Sequence, residues 1–248
     1  MKLLASLTTE EVRQIVSMRT TCVLVPVGSV EPHGPHLPLA TDTIISETAC
    51  ARAADALLAL GIAVVIAPSL PYGVTDYAAG FPGAIGVPRE ALEAILRGIV
   101  TRFLADGFSH VCLVNNHLEP AQDAAVRAAI ASLPPGSASV ACPLTRRWAR
   151  TLSDEFKRGT CHAGRYETSL VLGAGANVQP DFTTLRSVDV SLSDGIKAGK
   201  TTFSEMGMDR AYTGAPAEAT REEGRELYEK LKDMIVTEVT EALALRKS

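Results

Sequence analysis

The sequence predicts an α/β fold built on a mainly parallel sheet with helices on both faces. Three observations lead there. Short apolar, β-branched runs alternate with longer helical patterns along the chain. Those runs are apolar almost throughout rather than at every second position, as strands buried on both sides are. The 248 residues, 46% hydrophobic and 21% charged, suit one large core and a single domain spanning 1–248.

The elements follow in order. Thr8-x-x-Glu11 is a capping box that opens a helix from about Thr9 to Met18. Cys22 to Val27 reads as a buried strand ending at Gly28, and a polar loop runs from Ser29 to Thr41. Asp42 precedes an Ala/Leu/Ile helix that reaches Leu60 and stops at Gly61. Ala63 to Ala67 is the next strand, followed by a Pro/Gly-rich loop to Pro88 and a helix to about Ala105, with proline in its first turn. Val111 to Val114 is a strand, Asn115 to Pro120 a loop, and a helix runs on to about Ser132. Ala138 to Ala141 forms another strand. The stretch from about Val178 to Ala217 lacks periodicity and reads as a functional or interface segment rather than a linker. Thr220-x-x-Glu223 caps a last amphipathic helix, with Leu227, Leu231, Met234, Ile235 and Val239 as its apolar stripe.

Charge and composition exclude several partners. The formal net charge is -4 and no long basic run occurs, which argues against nucleic acid and anionic membranes. No apolar stretch reaches the roughly 18 residues of a membrane span, and the N-terminal apolar run is too short for a secretory signal. The five cysteines are scattered without a CxxC pair, so a reducing, cytoplasmic setting is expected.

Five histidines occur, and three of them, His33, His117 and His162, fall in predicted loops with a carboxylate close by. Loops after parallel strands converge at the carboxyl edge of the sheet, where ligands gather in such folds. Glu31 and His33 are two residues apart in a segment stiffened by Pro32, Pro35 and Pro38, so in extended chain they point the same way. His117 and Glu119 repeat the spacing after another strand. Imidazole with carboxylate suits Zn²⁺, Mn²⁺ or Fe²⁺. The plainer reading of the second pair is that Asn115 or Asn116 caps the next helix and Glu119 complements its dipole. Asp42 before a helix reads most simply as its N-cap, though a carboxylate closing this loop can also bridge two metals. His162 could shuttle a proton or stabilise an oxyanion, and Glu167 could be a ligand or support one. Cys161 beside His162 is a weak thiol-nucleophile signal, because sequence neighbours rarely face each other. His36 could orient a ligand, and His110, at the start of a strand, reads as structural.

The segment Val25 to Pro38 with Thr41-Asp42-Thr43 closely resembles the signature of the creatininase (creatinine amidohydrolase) family. Phe81-Pro82-Gly83, Asn116-His117, His162-Ala163-Gly164, Glu167-Thr168-Ser169 and Gly214-Ala215-Pro216 match later family motifs in order. The resemblance implies a three-layer α/β/α sandwich, homo-oligomers that are often hexamers, and two divalent ions, zinc foremost, with manganese or iron as alternatives. By that resemblance Glu31 and His117 hold one metal, His33 the other, Asp42 bridges, and Glu119 completes the second site. Pro32, Ala84, Asn116 and Pro120 depart from the usual glutamine, threonine, glycine and asparagine. Arg158-Gly159-Thr160-Cys161 stands where creatininase proper carries Trp-Asp-x-Glu, so the resemblance carries the chemistry further than it carries creatinine as substrate.

The expected activity is hydrolysis of a C–N bond in a small, cyclic or linear amide. Water acidified by two cations would attack the carbonyl, and His162 would stabilise the intermediate or protonate the leaving nitrogen. The alternatives are a deformylase or peptidase, a keto-polyol (inosose-type) ring hydrolase, and a non-catalytic metal-binding protein. Arg158 and Arg165 would suit an anionic or polyhydroxylated substrate.

Overall fold

The computed structural model describes residues 2–246. Helix α1 (Thr9–Val16) carries both bonds of the expected capping box: Thr8 N–H donates to Glu11 Oε2 at 2.8 Å and Glu11 N–H to Thr8 Oγ1 at 3.3 Å. Strand β1 (Thr21–Val27) is followed by α2 (Thr41–Ala59), β2 (Ala63–Ile66), α3 (Arg89–Ala105), β3 (His110–Asn115), α4 (Pro120–Ile130) and β4 (Ala138–Ala141). The four strands of these described residues form one sheet, in the order β2-β1-β3-β4, with every pairing parallel. The predicted strands match to within a residue or so at either end.

Strand alternation sorts the core into two halves. Cys22, Leu24, Val64 and Cys112 face α2 and the long C-terminal helix α10 (Arg221–Leu245). Val23, Val25, Val65 and Leu113 face α1, α3 and α4. Layers of helix, sheet and helix are thus built from near-continuous apolar strands, as expected of sheets covered twice.

Between β4 and α10 lie α5 (Arg146–Ala149), α6 (Asp154–Arg158), α7 (Arg165–Ala174), α8 (Leu192–Lys197) and α9 (Phe203–Met206). The last two occupy the segment whose sequence shows no periodicity. A helix of four to six residues is too short to display a 3.6-residue repeat. Side-chain caps from Ser191 and Thr202 define their starts instead.

Helices α7 and α10 cross closely at Gly224, where an added Cβ would lie 1.8 Å from the carbonyl oxygen of Ser169. Thr220 accepts from the Glu223 amide as expected of a cap, but the Glu223 carboxylate turns to Arg165 and Ser169 and ties α10 to α7. This crossing sets the position of Glu167 in the first turn of α7. Among the described residues no helix is long and apolar enough to cross a membrane.

Candidate metal centre

Loops after β1 and β3 meet the start of α2 at the carboxyl edge of the sheet. Gly28 makes that meeting possible. A Cβ there would sit 2.6 Å from both the backbone nitrogen and the hydroxyl of Thr43. Its absence lets the first turn of α2 lie directly on the end of β1, so that Asp42 comes beside Glu31.

Asp42 is not the cap of α2. The helix starts at Thr41, Ala40 holds the cap position without a side-chain bond, and Asp42 is only 1% exposed. Its two oxygens point to two different histidines: Oδ1 lies 3.3 Å from His33 Nε2, and Oδ2 lies 3.0 Å from His117 Nδ1. Ser29 donates to Oδ2 at 2.8 Å. Nor do Asn115 and Asn116 cap α4; their amides donate to the His117 carbonyl and to Ser46 Oγ.

The remaining donors surround this carboxylate. Glu31 Oε1 lies 3.3 Å from His117 Nδ1 and 3.8 Å from His33 Nε2. Glu167 Oε2 lies 3.5 Å from His33 Nε2 and accepts the Ala163 amide at 2.6 Å. Two sets of donor atoms result, each mutually within 4.8 Å: Glu31, Asp42 and His117, and His33, Asp42 and Glu167. They share Asp42. His162 joins Glu31 and His33 in a third such set.

The histidine orientations are fixed from behind. Carbonyl oxygens only accept, so the ring nitrogens that contact them carry hydrogen. His33 Nδ1 donates to the Glu31 carbonyl at 3.1 Å, and His117 Nε2 to the Val74 carbonyl at 2.6 Å. Each ring therefore presents its other nitrogen to the carboxylates. Backbone support of this kind is what orients metal-bound imidazoles.

The electrostatics fit divalent cations. Glu31 Oε2 and His33 Nε2 are buried with no hydrogen-bond partner. Burial opposes charge on His33, yet Asp42, Glu167 and Glu31 around it raise it to about 10. His117 behaves alike, its burial outweighed by Glu31 and Asp42. Burial would raise Asp42, but His33 and His117 hold it below the usual carboxylate range. Burial raises Glu167 to about 8 against the pull of His33. The cluster thus gathers positive charge in any form it can, which is the demand a metal ion satisfies.

Glu119, expected to complete the second site, is not in the donor set of His33, whose third member is Glu167. Glu119 stands on the cavity wall, 3.9 Å from His117 Nε2, accepting the amides of Asp76 and Tyr77 at 3.2 and 3.3 Å. Burial raises its carboxyl to about 7.

His162 enters the site from the loop before α7. Its Nε2 donates to the Pro32 carbonyl at 3.1 Å, its ring stacks on His33 at 4.5 Å, and Nδ1 lies 3.9 Å from Glu31 Oε1. Burial, then His33, lowers its pKa to about 4, so it is neutral at pH 7 with a free lone pair on Nδ1. Ala163 beside it adopts φ +48°, a left-handed conformation that costs a β-carbon-bearing residue about 1 kcal/mol. His36 lies one layer back, bonded to Thr168 Oγ1 at 2.8 Å. Cys161 lines the cavity, but burial raises its thiol pKa far above neutrality, which removes a thiolate nucleophile.

Arg158 and Arg165 do not reach the cavity. They border an outer groove, where Arg165 pairs with Glu223 at 2.8 Å. Two groups that the sequence reading missed matter more. Glu155, buried at the start of α6, accepts the amides of Tyr166 at 2.9 Å and Ala215 at 2.8 Å and so clamps both chains flanking His162. Phe203 of α9 stacks on His162 at 4.4 Å. Glu155 sits in a charged run and Phe203 in an aperiodic stretch, so neither had a signal in the sequence.

A family model described as creatinine amidohydrolase matches residues 5–239. The mycofactocin precursor peptide peptidase of Mycolicibacterium smegmatis is 33% identical over 214 residues, covering 86% of this chain and 76% of that protein. The 3-dehydro-scyllo-inosose hydrolase of Thermotoga maritima is 29% identical over 150 residues, 60% of this chain and 45% of that protein. A solved structure designated creatininase Mn superposes with a TM-score of 0.71 at 20% identity, covering 96% of this chain and 97% of that one. With a family match across nearly its whole length, the chain belongs to the creatininase family of hydrolases.

Proposed function

We propose that this protein is a metal-dependent amidohydrolase that cleaves the C–N bond of a small amide. One observation carries the reading: the two oxygens of Asp42 face two histidines, each in its own set of buried donors. Glu31, Asp42 and His117 would hold one ion, and His33, Asp42 and Glu167 the other. Divalent ions bound there supply Lewis acidity for a carbonyl oxygen and lower the pKa of water. Zinc or manganese suits this mixed nitrogen and oxygen donor set.

The chain's own residues handle protons. His162, neutral and with its Nδ1 lone pair facing Glu31, would accept a proton from attacking water. The resulting imidazolium, stabilised by Glu31, can return that proton to the leaving nitrogen. This order makes His162 a base first and a donor second. Glu119, held near pKa 7 by burial, is a second group able to carry a proton at neutral pH. Glu155 holds the loop that aims His162.

The test is reconstitution. Chelation should remove about two ions per chain, read by elemental analysis, and abolish hydrolysis of an amide panel; zinc or manganese should restore it. Full turnover by protein verified metal-free would overturn the reading.

A further inference from the structure

We propose that the cleft beside the metal centre selects substrates carrying a bulky apolar side chain next to the scissile amide, with Phe203, Ile196 and Leu192 as the specificity wall. This inference rests on the hydrolytic reading above and adds to it the class of substrate.

The cavity measures about 390 Å³, within the range of pockets that enclose drug-sized ligands. Besides the acidic and imidazole groups already described, Leu118, Leu144, Phe156, Leu192, Ile196 and Phe203 line it, with Tyr77 and Ser193 as the side-chain hydroxyls. The lysines that border it, Lys157 and Lys197, are each held by the aspartate three residues earlier, Asp154 and Asp194, at 3.1 and 3.2 Å. A substrate carboxylate would therefore compete with a partner already present. A polyol has only the Tyr77 and Ser193 hydroxyls to meet on this wall and would bury its other hydroxyls against carbon; each one left unpaired weakens binding roughly tenfold. An aliphatic or aromatic side chain would lose nothing and remove apolar wall from water.

The wall also has its own support. Phe203 packs with Met206, Met208, Ala78 and Ala211 in a small apolar cluster, separate from the two large cores on the sheet. Helices α8 and α9 are in this way fixed as a unit over the centre, and Phe203 connects the unit to His162. A side chain lying along Phe203 would bring its own carbonyl beside His162, whose ring is 4.4 Å from that of Phe203.

The experiment uses protein reconstituted with zinc and two hydroxamate probes, acetohydroxamate and 3-phenylpropionohydroxamate, which share a metal-binding head and differ in their apolar tail. Calorimetry should give a Kd about 30-fold or more lower for the phenyl probe, in line with the value of several buried methylenes. Replacing half-buried Ile196 by Asn should shrink that ratio at least several-fold, and Phe203→Leu serves as a second variant that preserves the α9 cluster. Hydrolysis of acetamide and 3-phenylpropionamide is measured in parallel. Equal affinity for both probes overturns the apolar cleft, whatever the turnover. Graded binding with no turnover of either amide keeps the cleft and overturns the amidohydrolase reading. Binding of neither probe together with no turnover overturns both. Graded binding and graded turnover support both.

Discussion

His110 and His117 stand at opposite ends of the same strand, both buried, and they live in opposite electrostatic worlds. At the amino end of β3, His110 bonds to the Gly136 carbonyl at 3.0 Å and to Ser139 Oγ at 2.8 Å. Its partners are neutral, so burial dominates and lowers its pKa to about 4. Beyond the carboxyl end, His117 meets Glu31 and Asp42, and the same burial is outweighed by their charge. In a parallel sheet every loop after a strand leaves from one edge, so carboxylates from separate loops can converge there. The other edge receives loops that only return the chain. The same residue type is structural at one end and chemical at the other because of what the topology gathers around it.

The sharpest way to break the contrast is at Asp42. Asp42→Asn removes the carboxylate that both donor sets share, and metal content measured by elemental analysis should fall from two ions to fewer than one. Activity should drop on the order of a thousandfold, since each loss of about 1.4 kcal/mol in the transition state costs a factor of ten. His110→Asn, at the other end, should retain both ions.

Within the carboxyl edge, two variants test the proposed division between Glu167 as ligand and Glu119 as proton carrier. Glu167→Gln should lose one ion of the two. Glu119→Gln should keep both while activity falls roughly a hundredfold, the usual size of an acid–base contribution. Loss of an ion in Glu119→Gln would return Glu119 to the ligand set.

At the amino edge the expected signature is one of pH. Folded His110 titrates near 4 and the unfolded side chain near 6.5. Between these values the unfolded chain binds the extra proton, so stability is lost as pH falls from 6.5 towards 4. The full effect is about 3 kcal/mol. Because His162, Glu119 and Glu167 also titrate in metal-free protein, the readout is the difference in urea-unfolding stability between wild type and His110→Asn, which should change in the wild type's disfavour as pH falls from 6.5 towards 4. His33 acts with the opposite sign. Its folded pKa is raised to about 10, so in metal-free protein its contribution is present below 6.5 and lost as pH rises through 10.

The smallest effects come from two glycines. Gly28→Ala crowds Thr43 at the site edge and should cost about 1–3 kcal/mol of stability, weakening metal retention as α2 shifts. Gly98 in α3 meets nothing within 4 Å, and Gly98→Ala should add up to about 1 kcal/mol with metal content unchanged. Thermal unfolding of the two variants measures both.

Much of the architecture was legible in the chain. The strands announced themselves by short, mostly apolar runs, richest in Val, Leu, Ile and Cys in the first three, and the Thr8 box marked the start of α1, because these signals are local. Glu31, His33 and His117 stood out for the same reason: each lies just after a strand, and the spacing of a His and a carboxylate is visible within a few residues. Asp42 was ambiguous because its carboxylate function depends on Gly28, fourteen residues away in sequence and in contact only after folding. Glu155 and Phe203 were invisible, since their roles come from amides and rings supplied by distant segments.

By itself the sequence determined the parallel α/β plan and the two strand-end loops that carry most of the donors, because periodicity and spacing are properties of neighbouring residues. Tertiary structure alone decided that Glu167 rather than Glu119 stands opposite His33, that Arg158 and Arg165 face outward, and that α9 lays Phe203 over His162. Those outcomes depend on contacts between segments far apart in sequence, such as the α7–α10 crossing at Gly224 that seats Glu167 3.5 Å from His33, and no local pattern encodes them.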